Sequence, residues 1–438
     1  MARQKRTSRL LVALNGRHMG NLDRSNNGAV SFTYAADWLA DMRRAIPVSL
    51  SLPLREERYV GAPVLAYFDN LLPENDPIRR KVAERVGAEG TDAFSMLDKI
   101  GRDCVGALQF VPDGDDIAPP GPPEGEPVDD AAVAGIIRNL ATAPLGIRTD
   151  KDRDFRISLA GVQEKTALLW TNGWQIPKGG TPTTHILKPQ LGKLPNGLDM
   201  SDSVENEHFC LTLCAEFGLD VAGSQIIDFE DKRVLVVERF DRRHTKDGRL
   251  LRLPQEDFCQ ALGVPATRKY NNEGGPGIGE CLHLLGGSDY ADEDRRHFLK
   301  AQMLFWLLGA TDGHAKNFSL YLAPGGGYRM TPFYDIMSAE PNLARHELRR
   351  QEMKLAMAVG DRRHYPIDTI YPRHFLQSGK AAAMDPGEIE EIYASIQEAA
   401  DGAAERARTK MLQDLPEEVV VRISEAVQMR LRRPIQEL

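Results

Sequence analysis

The sequence predicts an α+β fold, and three observations carry that prediction. Short apolar runs punctuated by Gly and Asn-Gly crowd residues 155–240. Helical periods dominate after 255, and 112–127 is rich in proline and acidic residues with no apolar period. That last stretch is a linker. It divides the chain into a small α/β unit (1–112), the linker (113–128), a strand-rich lobe (129–243) and a lobe read as all-helical (244–438).

Taken in order, 10–14 runs into Asn15-Gly16, the strongest short hairpin signal, and 29–34 supplies another strand. Residues 62–72 read as a helix ended by Pro73-Glu74-Asn75, followed by helices at 79–86 and 93–100 and a Gly-punctuated strand at 101–111. This first unit reads as a scaffold without chemistry of its own. Past the linker comes a helix at 129–140, then strands at 166–170, 174–176 and 183–189. Alternation puts Lys188 on the face of Ile186 and Thr184, so a lysine with a buried stem projects from a strand. Helix 204–217, carrying Glu205 and Glu207, closes at Gly218 and leads to strands at 224–229 and 234–240. Helices are expected at 255–262, 279–285, 292–308 and from 345 onward, interrupted by one hairpin with strands 318–322 and 328–333. Gly274 to Gly279 is glycine-rich but follows no strand, so it reads as a loop and not as a phosphate fingerprint.

The totals narrow the function classes. The chain has 438 residues, 42% hydrophobic and 27% charged, without an apolar run near the ~20 residues of a membrane span. The basic N-terminus is followed by an apolar stretch too short, and too soon broken by Asn15-Gly16, for a signal-peptide core. Five cysteines without a CxxC pair argue against a disulfide framework or a zinc site, and Cys210 and Cys214 read as buried thiols. A cytoplasmic protein without membrane contact is expected. Net charge −8 argues against autonomous nucleic-acid binding, although basic clusters stand at Arg349-Arg350, Arg362-Arg363 and 430–433.

One stretch concentrates chemistry. Asp312, His314, Lys316 and Asn317 fall within six residues, with Asp312 and Asn317 in the D-x-x-x-x-N relation of a kinase catalytic loop. Pairing across the 318–333 hairpin brings 317 opposite roughly 334, so Asn317 and Asp335 should flank one point. Both offer hard oxygen ligands suited to magnesium. Phosphoryl transfer also needs a cation, a cradle for phosphates and an edge for the base. Lys188, the loop 158–165 and the strand end 238–240 offer these in chain order. Each part has a plain alternative: a snorkelling lysine, a helix C-terminal turn at Asp312-Gly313, a turn asparagine, a capping Asp335. All would have to coincide in the right order. A strand-rich lobe before a helical one then makes a protein-kinase-like bilobal fold.

The motifs Ile157-Ser-Leu-Ala-Gly-Val-Gln-Glu-Lys165, His185-Ile-Leu-Lys188-Pro, Val237-Glu-Arg-Phe-Asp-Arg242, Gly309-Ala-Thr-Asp312-Gly-His-Ala-Lys-Asn317 and Thr331-Pro-Phe-Tyr-Asp335 resemble the HipA family. These are serine/threonine-kinase toxins of bacterial type II toxin–antitoxin modules. Phe68-Asp-Asn-Leu-Leu-Pro-Glu-Asn75 and Gly101-Arg-Asp-Cys-Val-Gly106 are similar to the family's N-terminal subdomain. The resemblance implies ATP and Mg2+ as cofactors, Asp312 as proton acceptor, and Asn317 with Asp335 as metal ligands. It implies nucleotide contacts from Ala160, Gly161, Val162, Gln163, Glu164, Lys165 and Lys188, a hinge at Glu238, Arg239 and Phe240, and further contacts from His314, Ala315, Lys316, Asn317, Tyr334 and Asp335. Ser158 matches the family's self-phosphorylated serine, where added negative charge would repel ATP. The cradle departs from the G-x-G-x-x-G of ordinary kinases, with Gly161 its single glycine. Implied partners are a HipB-like helix-turn-helix antitoxin, operator DNA within that complex, and an aminoacyl-tRNA synthetase substrate, glutamyl-tRNA synthetase first. The alternative is a co-repressor of the antitoxin–operator complex with secondary or lost catalysis.

Overall fold

Asn15 and Gly16 both take positive φ (46° and 79°), which turns strand Ser8–Leu14 back into Arg17–Arg24 as the hairpin signal requires. The computed structural model describes residues 8–140, 145, 157–161, 163–411 and 415–433. These two strands centre a five-stranded antiparallel sheet in the order Tyr59–Val60, Val30–Tyr34, Arg17–Arg24, Ser8–Leu14, Leu108–Pro112. Helices Ala62–Asp69, Asp76–Val86 and Ala93–Ile100 cover one face, and Phe32, Phe68 and Phe110 meet between the layers. The expected strand 101–111 is shorter than its pattern. Residues before Leu108 turn instead, because Asp103 and Cys104 are drawn into contacts with Arg239 and Arg242.

A six-stranded sheet follows, in the order Ser224–Phe229, Lys232–Glu238, His185–Pro189, Thr166–Trp170, Trp174–Pro177, Gly125–Pro127. The end of the linker therefore joins this sheet as its edge, the position where a strand tolerates proline. The core of this sheet is continuous with that of the first unit: Leu168, Leu187 and Val234 belong to the same apolar cluster as Phe32 and Phe68.

The remaining lobe is not all-helical. Helix Ala291–Leu308 is its axis, with Phe298, Leu304, Trp306 and Leu308 fully buried, packed by Ile278–Leu285, Pro386–Ala399 and Glu417–Leu431. Yet the lobe also holds a three-stranded sheet, Gln255–Asp257, Ser319–Leu322, Tyr328–Met330, and a further pair, Lys354–Val359 with His364–Pro366. The helix expected at 255–262 begins only at Phe258, since Asp257 caps it by accepting from Gln260 N at 2.8 Å. Gln255–Asp257 is left free to pair with residues 319–321. The hairpin register (Leu320 opposite Met330) falls within one residue of expectation, but its second strand stops at Met330. Pro332 lacks an N–H, and Phe333 pairs instead with the 220–222 segment. No described helix is long and apolar enough to cross a membrane.

Candidate active site

Lys188 leaves its strand buried, and its ammonium donates to Glu207 Oε1 at 2.7 Å and to Asp335 Oδ1 at 2.9 Å. Glu207 comes from helix Ser203–Glu216, which follows the lysine strand after a small hairpin, Gly192–Lys193 with Asp199–Met200. A strand lysine paired to a helix glutamate is the arrangement that protein kinases use to hold the nucleotide phosphates. Burial alone would lower the Lys188 pKa, but Asp335 and Glu207 outweigh it and the group is held well above its ordinary value. Burial pushes the Glu207 carboxyl up, only partly countered by Lys188. Glu205, two residues earlier, points elsewhere and accepts from Arg233 at 2.5 Å.

The catalytic-loop candidate begins where Gly309, at φ +69°, ends the axial helix in a left-handed cap. Gly313 has no room for a side chain, since a Cβ there would lie 2.3 Å from the Phe305 ring. His314 N donates to Asp312 O (2.8 Å) and Asn317 N to His314 O (2.9 Å), winding 315–317 into a single tight turn. That turn presents the Asn317 side chain to Asp335, with Nδ2 donating to Oδ2 at 3.3 Å. Asn317 Oδ1 is buried and finds no partner among the described residues, nor does His314 Nδ1. Asp335 holds φ at +59°, an uncommon state for a residue with a side chain. Desolvation would raise its pKa, yet Lys188 and Lys165 hold the carboxylate well below the ordinary range. Asp312 Oδ1 accepts from the Tyr270 hydroxyl at 2.6 Å, and the His314 ring packs edge-on to Tyr270 at 5.0 Å between centroids.

Lys165 is pressed by burial and by the Lys188 charge to a pKa of about 8, and it also interacts with Asp335. Gln163 Nε2 donates to Pro189 O at 3.2 Å, tying the loop to the lysine strand. Gly161 takes φ +108° and pairs with Pro73; Ala160 and Glu164 flank this seat half-buried. Val162 lies outside the described residues. Ser158 is fully buried, and its hydroxyl donates to Leu71 O at 2.7 Å. At the expected hinge, Glu238 is exposed and Phe240 packs against Tyr334 at 5.7 Å. Tyr334 shares a 2.6 Å hydrogen bond with Ser319 Oγ and donates to Lys316 O. Ala315 is buried.

Thus Lys165, Lys188, His314, Asn317 and Asp335 converge, with Asp312 at the rim. Two expected nucleotide contacts direct their charges elsewhere. The Lys316 ammonium is buried against Asp257 Oδ2 and Asn70 Oδ1, each at 2.7 Å. The Arg239 guanidinium is buried among Asp241, Asp103 and Cys104 O. Glu207 and Tyr270 were missed as site residues. A carboxylate on the helix after a strand lysine was visible for the first, but which of two glutamates turned inward was not. No group of three or more His, Cys, Asp and Glu gathers among the described residues. Asn317 and Asp335 supply only oxygens, one of them orphaned, which fits a magnesium ion that takes its other ligands from phosphate and water.

Residues 157–404 match the HipA-like C-terminal domain, and residues 10–111 match the HipA N-terminal domain. The chain belongs to the HipA family. As a HipA-family member it is a protein kinase. It is 37% identical over 360 residues to the Sinorhizobium fredii protein Y4mE, covering 81% of each chain. It is 30% identical over 373 residues to the serine/threonine-protein kinase toxin HipA of Shewanella oneidensis, covering 81% of this chain and 80% of that one. The solved complex of Shewanella oneidensis HipA with HipB and its operator DNA superposes at TM-score 0.77 and 25% identity, covering 96% of both HipA-type chains.

Proposed function

We propose that this chain transfers the γ-phosphate of ATP to serine or threonine hydroxyls as the toxin of a type II toxin–antitoxin module. The observation that carries the reading is the Lys188 ammonium bonded to both Glu207 and Asp335, with the orphaned Asn317 carbonyl beside it. Asn317 and Asp335 would hold magnesium, which when bound neutralises phosphate charge. Lys188 and Lys165 would face the phosphates, and Phe240 with Tyr334 would line the base. Asp312, oriented by Tyr270, would accept the proton of the acceptor hydroxyl. A cavity of about 330 Å3 opens at Tyr270 and Thr311, lined also by Asn272, Lys354, Leu355 and Tyr365, and offers room for an acceptor group.

An aminoacyl-tRNA synthetase, glutamyl-tRNA synthetase first, is the proposed substrate, and Ser158 the self-phosphorylated residue. Because the Ser158 hydroxyl is buried against Leu71 O, its modification requires the loop to leave its seat. A HipB-like antitoxin is the proposed partner. A co-repressor role beside catalysis draws support from the relative solved with antitoxin and operator DNA. The test is radiolabelled ATP with purified protein and a panel of synthetases. Magnesium-dependent label on the protein itself and on one synthetase is expected, and none with Asp312→Asn. Nucleotide binding without transfer to any bacterial protein would contradict the reading.

A further inference from the structure

The first α/β unit reads from sequence as a passive scaffold, but four of its residues between them touch both halves of the site. The Asn70 side chain and carbonyl accept from the Lys316 ammonium at 2.7 and 3.2 Å. Leu71 O holds the Ser158 hydroxyl, and Pro73 pairs with Gly161. Glu74 does both jobs at once. Its backbone N–H donates to Gly161 O at 3.1 Å, while its carboxylate accepts from Lys269 at 2.7 Å and lies 3.8 Å from the Lys316 ammonium. Lys316 stands between Asp312 and Asn317, and Lys269 precedes the tyrosine that bonds Asp312.

We propose that residues 70–74 clamp the phosphate loop against the catalytic loop, with Glu74 as the positioning residue. The loop is seated through backbone groups, which no side-chain change removes. The catalytic loop is seated through the carboxylate, which holds two buried ammoniums, one from the residue before Tyr270 and one from the Asp312–Asn317 stretch, at one point. Glu74 reaches the chemistry only through Lys269 and Lys316. A misplacement of a reacting group by about 1 Å suffices to slow transfer on the order of a hundred-fold. This inference rests on the kinase reading of the site.

The test is self-phosphorylation by the full-length protein as a function of ATP, with a melting curve on every variant. Glu74→Gln keeps the shape and removes the charge. It should lower kcat about ten- to a hundred-fold while KM for ATP stays within about two-fold, because the loop seat is intact. Lys269→Met should reproduce that split, and the double variant should be no slower than either alone, as for residues acting through one contact. The exposed Glu84→Gln is the control and should match wild type. Glu74→Asp, which keeps the charge with a shorter reach, should fall between Glu74→Gln and wild type, and it serves if Glu74→Gln does not fold. A wild-type kcat in Glu74→Gln or Glu74→Asp, or losses that multiply in the double variant, overturns the clamp. Absence of transfer by wild type overturns the kinase reading beneath it and is thereby told apart.

Discussion

Asp103 and Asp335 are both carboxylates that cations hold well below the ordinary range against the opposing effect of desolvation, and they differ in what surrounds them. Asp103 sits in a closed cluster with Asp241, Arg239, Arg242 and Arg252, where it accepts from Arg242 at 2.8 Å, Arg252 at 3.1 Å and Thr183 at 2.7 Å. No buried nitrogen or oxygen of these five side chains lacks a partner among the described residues. Asp335 keeps 39% of its side chain exposed in the cleft, on a backbone at positive φ, beside an asparagine carbonyl with no partner among the described residues. A closed network spends its valence on holding the first unit to the strand lobe. An open one retains valence for something that is not protein.

Breaking the open cluster should abolish chemistry and spare the fold. Asp312→Asn should lower phosphate transfer on the order of 10²–10⁴-fold, the range for removal of a general base. Its melting temperature should match wild type, since among the described residues the exposed Asp312 side chain makes one hydrogen bond, to Tyr270. Breaking the closed cluster should do the reverse. Asp103→Ala removes one of the two carboxylates shared by three buried guanidiniums and should cost about 3–5 kcal/mol in urea unfolding, with the rate per folded molecule kept.

A smaller effect comes from Glu256, which belongs to neither cluster. Burial pushes this carboxyl up to about 8, although Ser49 Oγ and Leu50 N both bond it. The folded state thus keeps a proton that the unfolded chain releases near the usual ~4.3. Stability from this group is full below that value, declines as pH rises toward 8 by at most about 1.4 kcal/mol per unit, and is lost above it. Glu256→Gln should flatten the melting temperature between pH 6 and pH 8 and raise it at the upper end, as a pH series of thermal melts would report.

What could be read in advance follows the same division. Asp312, Asn317 and Asp335 were legible because a short loop and one hairpin fix their spacing, and Lys188 because strand alternation fixes its face. Lys316 and Arg239 were assigned to the nucleotide because motif membership says nothing about direction. Long-range partners, Asp257 and Asn70 for one and Asp103 and Asp241 for the other, decide where their charges go. Glu74 was legible only as the end of a helix, since its partners lie 195 and 242 residues away by sequence number (269 − 74 and 316 − 74). The all-helical lobe failed because Gln255–Asp257 shows no strand period and becomes a strand by pairing with residues 319–321.

The most direct test of the division between the two clusters compares wild type, Asp335→Asn and Asp103→Asn in one assay of γ-phosphate transfer from magnesium-ATP, normalised to folded protein. The account predicts transfer by wild type and by Asp103→Asn, and none by Asp335→Asn. Transfer by Asp335→Asn at the wild-type rate, or its loss in folded Asp103→Asn alone, would contradict it.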